Sequence, residues 1–537
     1  MVMSSIERNL IKTELIQRRE EGCDVGSLED RITKALADGA PDAEFIALYD
    51  ELSALPIMES FPYDEPSSLQ EIQKARPAAV NELILEEGKE AIYDRIRGAW
   101  LGRAAGCALG KPVEGWPKER IDKYLTKANA LPLDDYIPYD EKVTPKTLKL
   151  STRGNIEFMD RDDDLDYPIL GLLALESRGA KMTSKTIAGV WLHSMPFGLT
   201  YTAENVAYRN FILNVWPPES GTYRNPFREW IGAQIRADIF GYVSPANPEQ
   251  AAELAYLDAC ISHDKNGVYG EMFVAAMIAS AFVLKDAKDI ILAGLAQIPD
   301  KSRLAEAVRN TLSWCEQNEN WETTWQKVYE AYGHYHTVHT INNAALVVMG
   351  LYYGDQGFEE GIVTAVRSGW DTDCNGATVG SILGLKIGAQ NLPNKWIDVL
   401  NDRLISAVRG ENDNQISELA RRTLAVAEQI ENYEEEKTPE PPSIWREGGV
   451  WELESGWGFQ RVDFEKGLME FISDGFNGSY PIISTSFQNP RLKFTVSIDK
   501  GGWETEIEFE GRLNGDSLEG AYNPMDTPVT GKRIASD

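Results

Sequence analysis

Three stretches of the chain concentrate acidic side chains and glycines in patterns that ordinary helix packing does not require. Asp160–Tyr167, DRDDDLDY, sets Asp162, Asp163 and Asp164 side by side ahead of an apolar run with Pro168 near its first turn. One aspartate there would cap a helix and complement its dipole. Three adjacent carboxylates repel one another and need water or a cation. Gly369–Gly388, GWDTDCNGATVGSILGLKIG, repeats the logic, with Asp371 and Asp373 just before a second helix rich in small residues. Oxygen ligands at this density suit a hard divalent cation such as Mg²⁺ or Ca²⁺ rather than zinc, and Cys374 is a single thiol without a partner in the sequence. An EF-hand loop is excluded, because Leu165 or Tyr167 fills its glycine position and Gly171 or Leu173 its final glutamate.

The third stretch is Arg95–Trp116, RIRGAWLGRAAGCALGKPVEGW, in which Gly98, Gly102, Gly106 and Gly110 recur every four residues along one helix face. A glycine in a helix interior costs about 1 kcal/mol relative to alanine. A stripe of them implies either tight packing against another backbone or a helix end that delivers Glu114 to a buried site. A P-loop is excluded, since Pro112 follows Gly110-Lys111 and Ala105 stands at the first glycine position. His334, His336 and His339 resemble a metal tract but lack a third well-placed ligand and the HExxH spacing, so they read as a helix-border feature. Asn342 and Asn343 suit either a cleft or a cap.

These residues need elements to carry them. Residues 1–90 read as short helices broken by Pro41, Pro56, Pro62 and Pro66, an extension packed on the main domain. Residues 91–433 show apolar spacing of three and four throughout, as in Met272–Val283, and no alternating run long enough for a sheet. Residues 434–442 form a charged, proline-rich linker. Residues 443–537 alternate in Gly467–Ile472, Leu492–Ile498 and Thr505–Phe509 between glycine-containing turns, which predicts a small β domain, barrel or sandwich. Its Trp445, Trp451, Trp457 and Trp503 suit either a core or a ligand face. The expected fold class is therefore mainly α.

A net charge of −31 argues against coating nucleic acid or an anionic membrane surface. The five cysteines, scattered and without a CxxC pair, favour a reducing compartment. The charged N-terminal segment has no apolar h-region, and the expected location is the cytoplasm.

The ordered set GCALGKPVE, DDD before an apolar helix, and GWDTDCNGA resembles the ADP-ribosylglycohydrolase family, of the dinitrogenase-reductase-activating glycohydrolase-like kind. That family typically shows GDALG-x-P-x-E, TDDT and GGDTDT-N-A-A. The resemblance spans roughly residues 92–400 and includes Gly232–Tyr242 and Ile261–Glu271. It implies an all-helical fold whose cleft holds two Mg²⁺ ions. By resemblance the metal ligands are Asp162, Asp163, Asp164, Asp371, Asp373 and Cys374, the catalytic carboxylates are Glu114 and Asp163, and His263 and Asn375 border the substrate. The chain departs from the pattern at Cys107, where the motif has aspartate, and at Cys374, where it has threonine; both TDDT threonines are also replaced. The implied activity is Mg²⁺-dependent hydrolysis of an N- or O-glycosidic bond to ADP-ribose or ribose, on a small-molecule or ADP-ribosylated substrate. The alternatives are a glycosidase for a small ribosylated metabolite or nucleoside and a non-catalytic binding protein, with the β domain available to a ligand or partner of its own.

Overall fold

Helix Lys89–Gly110 is buried without interruption from Gly98 onward, so it packs on every side rather than along one stripe. Its closest neighbour is helix Thr372–Ile387, which carries a matching stripe of Gly376, Gly380 and Gly384. The two run antiparallel. A Cβ on Gly98, Gly102 or Gly106 would overlap the carbonyl oxygen of Gly384, Gly380 or Gly376, and a Cβ on Gly110 that of Thr372. The four-residue spacing therefore serves backbone-on-backbone contact, and the Thr372 hydroxyl closes the end of the pair by donating to the Gly110 carbonyl at 2.8 Å.

Alanine at Gly106 should gain helix propensity yet lose more to this overlap, because a carbonyl in a neighbouring helix cannot rotate aside. We expect Gly106→Ala to destabilise the protein by about 2 kcal/mol, measured by urea unfolding.

The computed structural model describes residues 5–77, 83–355, 357–431, 449–472, 478–488, 490–500, 503–523 and 527–534. It divides into two compact units, Met1–Glu431 and Asn432–Asp537. In the first, helices surround the central pair, and no helix among the described residues is long and apolar enough to cross a membrane. A short two-stranded ladder, Arg403–Ile405 with Asp413–Gln415, departs from the purely helical expectation. Three residues per strand are too few to leave a periodic signal in sequence.

Helices Ile6–Glu20, Gly26–Asp38 and Asp42–Ser53 form a small core of their own around Ile11, Leu28, Phe45 and Leu52. This extension is fastened to the rest of the unit by buried charge. Arg228 binds Glu14 and Glu21 at 2.8–3.1 Å, and Arg303 binds Glu65 and Glu229 at 2.7–3.2 Å.

In the second unit eight strands, from Val450–Ser455 to Thr527–Ile534, follow one another as antiparallel neighbours, and the last pairs with the first to close a barrel. Closure removes both sheet edges. Trp451 is part of the barrel core, and Trp457 stacks on Tyr522 with ring centroids 5.0 Å apart. Trp445, the side chain of Trp503 and the expected linker 434–442 lie outside the described residues.

Candidate metal centre

The glycine-paired helices bring their ends together, and the loops that enter and leave them carry the acids. Gly369 and Trp370 both have positive φ, +84° and +62°. For tryptophan this left-handed conformation costs roughly 1–2 kcal/mol. Two backbone hydrogen bonds hold it, Gly115 N to Trp370 O at 2.9 Å and Trp370 N to Trp116 O at 3.2 Å. They fasten the turn before Asp371 to the loop after Glu114. Asn343 adds a third fixing point, its Oδ1 accepting from the Asp371 amide at 3.3 Å and from Asn375 Nδ2 at 2.8 Å.

Three groups of ligand atoms result, each with all members within 4.8 Å of one another: Glu114, Asp371 and Asp373; Asp164, Asp373 and Cys374; and Cys107, Asp162 and Asp164. Acids more than 200 residues apart in sequence thus meet in one place. Asp162 is the N-cap of helix Asp163–Arg178 and accepts from the Asp164 amide at 3.1 Å, while Lys111 Nζ approaches its carboxylate to 3.2 Å. Asp164 is fully buried and bound by the buried Arg103, Nη2 to Oδ1 at 2.9 Å. Arg103 also donates to the Asp164 carbonyl at 2.8 Å and to Asp238 at 2.7 Å.

The inner acids Asp162 and Asp164 therefore have resident cations. The group Glu114, Asp371 and Asp373 has no salt bridge among the described residues. Asp164 Oδ2, Asp373 Oδ1 and Asn375 Oδ1 are buried without a hydrogen-bond partner among the described residues. Burial, then the charges of Glu114 and Asp371, pushes the Asp373 carboxyl well above the usual carboxylate range, and burial raises Asp371. Glu114 opens to solvent on one side and is crowded on the others. Loss of solvation there, with the charges of Asp371 and Asp162, raises its carboxyl to about 7.

Asp163 and His263, also implied by the resemblance, stand outside these three groups. Asp163 is half-buried at the start of its helix and enters none of the three groups, although burial and the charges of Asp162 and Asp164 raise its carboxyl. His263 lies in a different buried cluster, with Nδ1 2.8 Å from Ser262 Oγ and 4.0 Å from Glu204. Arg236 binds Glu204 at 2.7 Å in that cluster, and burial and then Arg236 hold the imidazole well below its ordinary pKa. His339 caps helix Thr340–Tyr353 by accepting from the Ile341 amide, and His336 stacks on Trp230 at 4.1 Å. Arg103 and Lys111 are not among the site residues that the sequence offers, whereas Asn343 is, as a residue suited to a cleft or a cap. The one available signal was Arg103 itself, a lone charge within a helical run of Gly, Ala and Leu.

The donor sets decide which cation fits. Glu114, Asp371 and Asp373 are all-oxygen and suit Mg²⁺. The two groups that contain Cys107 and Cys374 do not, because Mg²⁺ takes hard oxygen donors. Fold and site together define a mainly helical protein with buried acidic clusters able to hold metal. The sequence profile of the ADP-ribosylglycohydrolase family matches residues 88–434, and the chain belongs to that family. An uncharacterized protein of Archaeoglobus fulgidus is 23% identical over 319 residues, covering 58% of this chain and 92% of the relative. A solved structure described as an ADP-ribosylglycohydrolase-related protein complex is similar at 19% identity with a TM-score of 0.45, covering 64% of this chain and 99% of that one.

A pH dependence follows from Glu114. Its carboxyl, raised from 4.5 to about 7 in the folded protein, keeps its proton below that value, and a cation must displace the proton to bind. Affinity for Mn²⁺, used as an observable stand-in for Mg²⁺, should rise with pH through about 7. Titrations at several pH values should show this rise in the wild type and a shallower one in Glu114→Gln.

Proposed function

We propose that this protein is a metal-dependent glycoside hydrolase that releases ADP-ribose or ribose from an N- or O-linked acceptor. The observation that supports this most directly is the convergence of Glu114, Asp371 and Asp373 with no salt bridge to any of them among the described residues. Cleavage of a ribosyl bond passes through an oxocarbenium-like state, which an anionic pocket stabilises. A bound Mg²⁺ would be held by the three outer carboxylates and would supply Lewis-acid polarisation and a water of lowered pKa.

The chain's own groups do the rest. Glu114, the solvent-facing carboxylate of the group, takes the proton from the attacking water. Asp371 and Asp373 set the negative field at the anomeric carbon, and Asn343 holds Asp371 and Asn375 in place. Asn375 Oδ1, which has no hydrogen-bond partner among the described residues, is available to a substrate hydroxyl. The likeness to the dinitrogenase-reductase-activating branch of the family rests on motif order. With five buried free cysteines the chain suits the cytoplasm, and its negative charge is unsuited to nucleic acid or an anionic membrane.

Cys107 in place of the motif aspartate favours a second reading, a glycosidase for a small ribosylated metabolite or nucleoside. A hydrolysis screen across ADP-ribosylated protein, free ADP-ribosyl conjugates and simple ribosides, with and without Mg²⁺ and beside an Asp371→Ala control, separates the two. Metal-dependent release from any conjugate that is lost in the control supports the proposal. Calorimetry with Mg²⁺ that shows no binding, together with no turnover, would make this a binding protein on the same fold.

A further inference from the structure

We propose that the N-terminal extension is a working part of this protein's site, in which Gln17 and Glu20 of its first helix set the position of Asn343 through Glu229 and His339. The extension lies ahead of the family domain, and its sequence carries no chemical motif. Yet helix Ile6–Glu20 turns a polar face inward. Glu14, Gln17, Glu20 and Glu21 recur at spacings of three and four, which puts them along one side. Glu14, Gln17 and Glu21 are buried, and only 14% of the Glu20 side chain is exposed.

Two contacts lead from this face toward the site. Gln17 Nε2 donates to the buried Glu229 carboxylate, which also binds Arg303 at 2.7 Å and Asn266 Nδ2 at 2.8 Å. The Glu229 carbonyl accepts from the Thr340 amide at 3.1 Å, and the Trp230 carbonyl from the Thr340 hydroxyl at 2.8 Å. The first residue of helix Thr340–Tyr353 is fixed in this way. The second contact reaches that helix's cap. His339 Nδ1 accepts from the Ile341 amide at 3.2 Å, so the neutral imidazole carries its proton on Nε2. Burial pushes the imidazole down to about 3, which keeps it neutral at pH 7. Nε2 is buried without a hydrogen-bond partner among the described residues, and the Glu20 carboxylate stands 3.7 Å from it, just beyond hydrogen-bond range. From His339 the path is one helical turn. Its carbonyl and that of Thr337 accept from Asn343 Nδ2 at 2.8 and 2.9 Å, and Asn343 Oδ1 accepts from the Asp371 amide and Asn375 Nδ2. Moving the cap therefore moves the group that fixes Asp371. Gln17, Glu20, Glu229 and His339 are positioning residues, since none belongs to the three acidic groups. The inference rests on the metal-dependent reading, and its test can fail without that reading failing.

Mn²⁺ affinity of the full chain is the readout, because an extension that only stabilised the fold would leave the affinity of folded protein unchanged. Glu20→Leu removes the acceptor and should weaken Mn²⁺ roughly three- to thirtyfold, the range of coupling carried by a packed network. Glu20→Gln keeps an oxygen beside Nε2 without the charge, so it should restore most of the affinity. Gln17→Leu cuts the other branch and should weaken Mn²⁺ by a similar factor, which keeps the proposal testable where one leucine variant fails to fold. In an Asn343→Ala background, Glu20→Leu should cost much less than it does in the wild type, because the relay acts through Asn343. Arg31→Ala breaks an exposed pair with Glu51 inside the extension and should change nothing. Folded Glu20→Leu and Gln17→Leu variants that bind Mn²⁺ as tightly as the wild type would overturn the proposal. So would full additivity of Glu20→Leu with Asn343→Ala. Either result leaves the hydrolase reading standing, whereas a wild-type protein that binds no Mn²⁺ would overturn both.

Discussion

Asp373→Ala should reduce turnover on the order of a thousandfold while leaving the metal-free protein at least as stable as the wild type. Loss of a group that merely supports a ligand weakens a metal site by roughly ten- to a hundredfold. Asp373 does more than support, since it belongs to both the all-oxygen group and the group around Cys374. Its removal withdraws a donor from each. The expected gain in stability has the opposite origin. Asp373 is buried beside Asp371 and Glu114, its carboxyl is pushed well up, and one oxygen has no partner among the described residues. Such a group opposes folding when it ionises, because the folded state binds its proton more tightly than the unfolded chain does. Stability therefore falls as pH rises past the ordinary carboxylate range. Melting curves without metal should place Asp373→Ala at or above the wild type at pH 7. Added Mn²⁺ should raise the wild-type melting temperature and leave the variant's little changed. Substantial activity in the purified, folded variant would remove Asp373 from the proposed chemistry.

The sequence carried some of this arrangement in readable form. The glycines at 98, 102, 106 and 110 require a neighbouring backbone whatever its identity, and the small residues at 376, 380 and 384 are the matching half. The eye can find both stripes, but nothing local states that they meet. Register between distant helices is a property of the folded contact. The aspartate triplet shows the same limit at finer scale. Asp162, Asp163 and Asp164 look equivalent in sequence, yet Asp162 is the extended N-cap, while Asp163 and Asp164 open the helix about 100° apart around its axis. Asp162 becomes a cap beside Lys111, Asp163 turns to a half-buried position outside the three groups, and Asp164 goes into the core against Arg103. Cys374 looks solitary in sequence, and only the fold places its sulfur within 4.8 Å of carboxylate oxygens of Asp164 and Asp373. His263 had a motif resemblance and no local feature to say that Glu204 and Arg236 would enclose it. The barrel was easier to foresee as a β domain, because alternation is local. Closure was not, since it depends on Thr527–Ile534 returning to Val450–Ser455.

Arg103 carries the second large effect, this time on stability. Its guanidinium is fully buried and spends its donors on the Asp164 carboxylate and carbonyl, the Asp238 carboxylate and the Ile235 carbonyl. Asp238 in turn accepts from Tyr242 at 2.9 Å, and Tyr242 meets Ser381 on the opposing glycine helix at 2.7 Å. Replacing Arg103 with Met fills similar space and leaves two buried carboxylates without their counter-charge. Breaking a buried pair from one side costs about 3–5 kcal/mol. Urea unfolding at pH 7 should show a loss in that range. The pH dependence identifies the cause. With Arg103 gone, the carboxyls of Asp164 and Asp238, already raised by burial, rise further, so the folded state takes up protons that the unfolded chain does not. The Met variant should therefore recover part of its stability between pH 7 and pH 5, and adding Asp238→Asn should recover part of it at pH 7. Arg103→Lys keeps the charge but not the planar fork, and should lie between the wild type and the Met variant. A Met variant as stable as the wild type, or one equally destabilised at both pH values, would mean that shape rather than charge sets the role of this position.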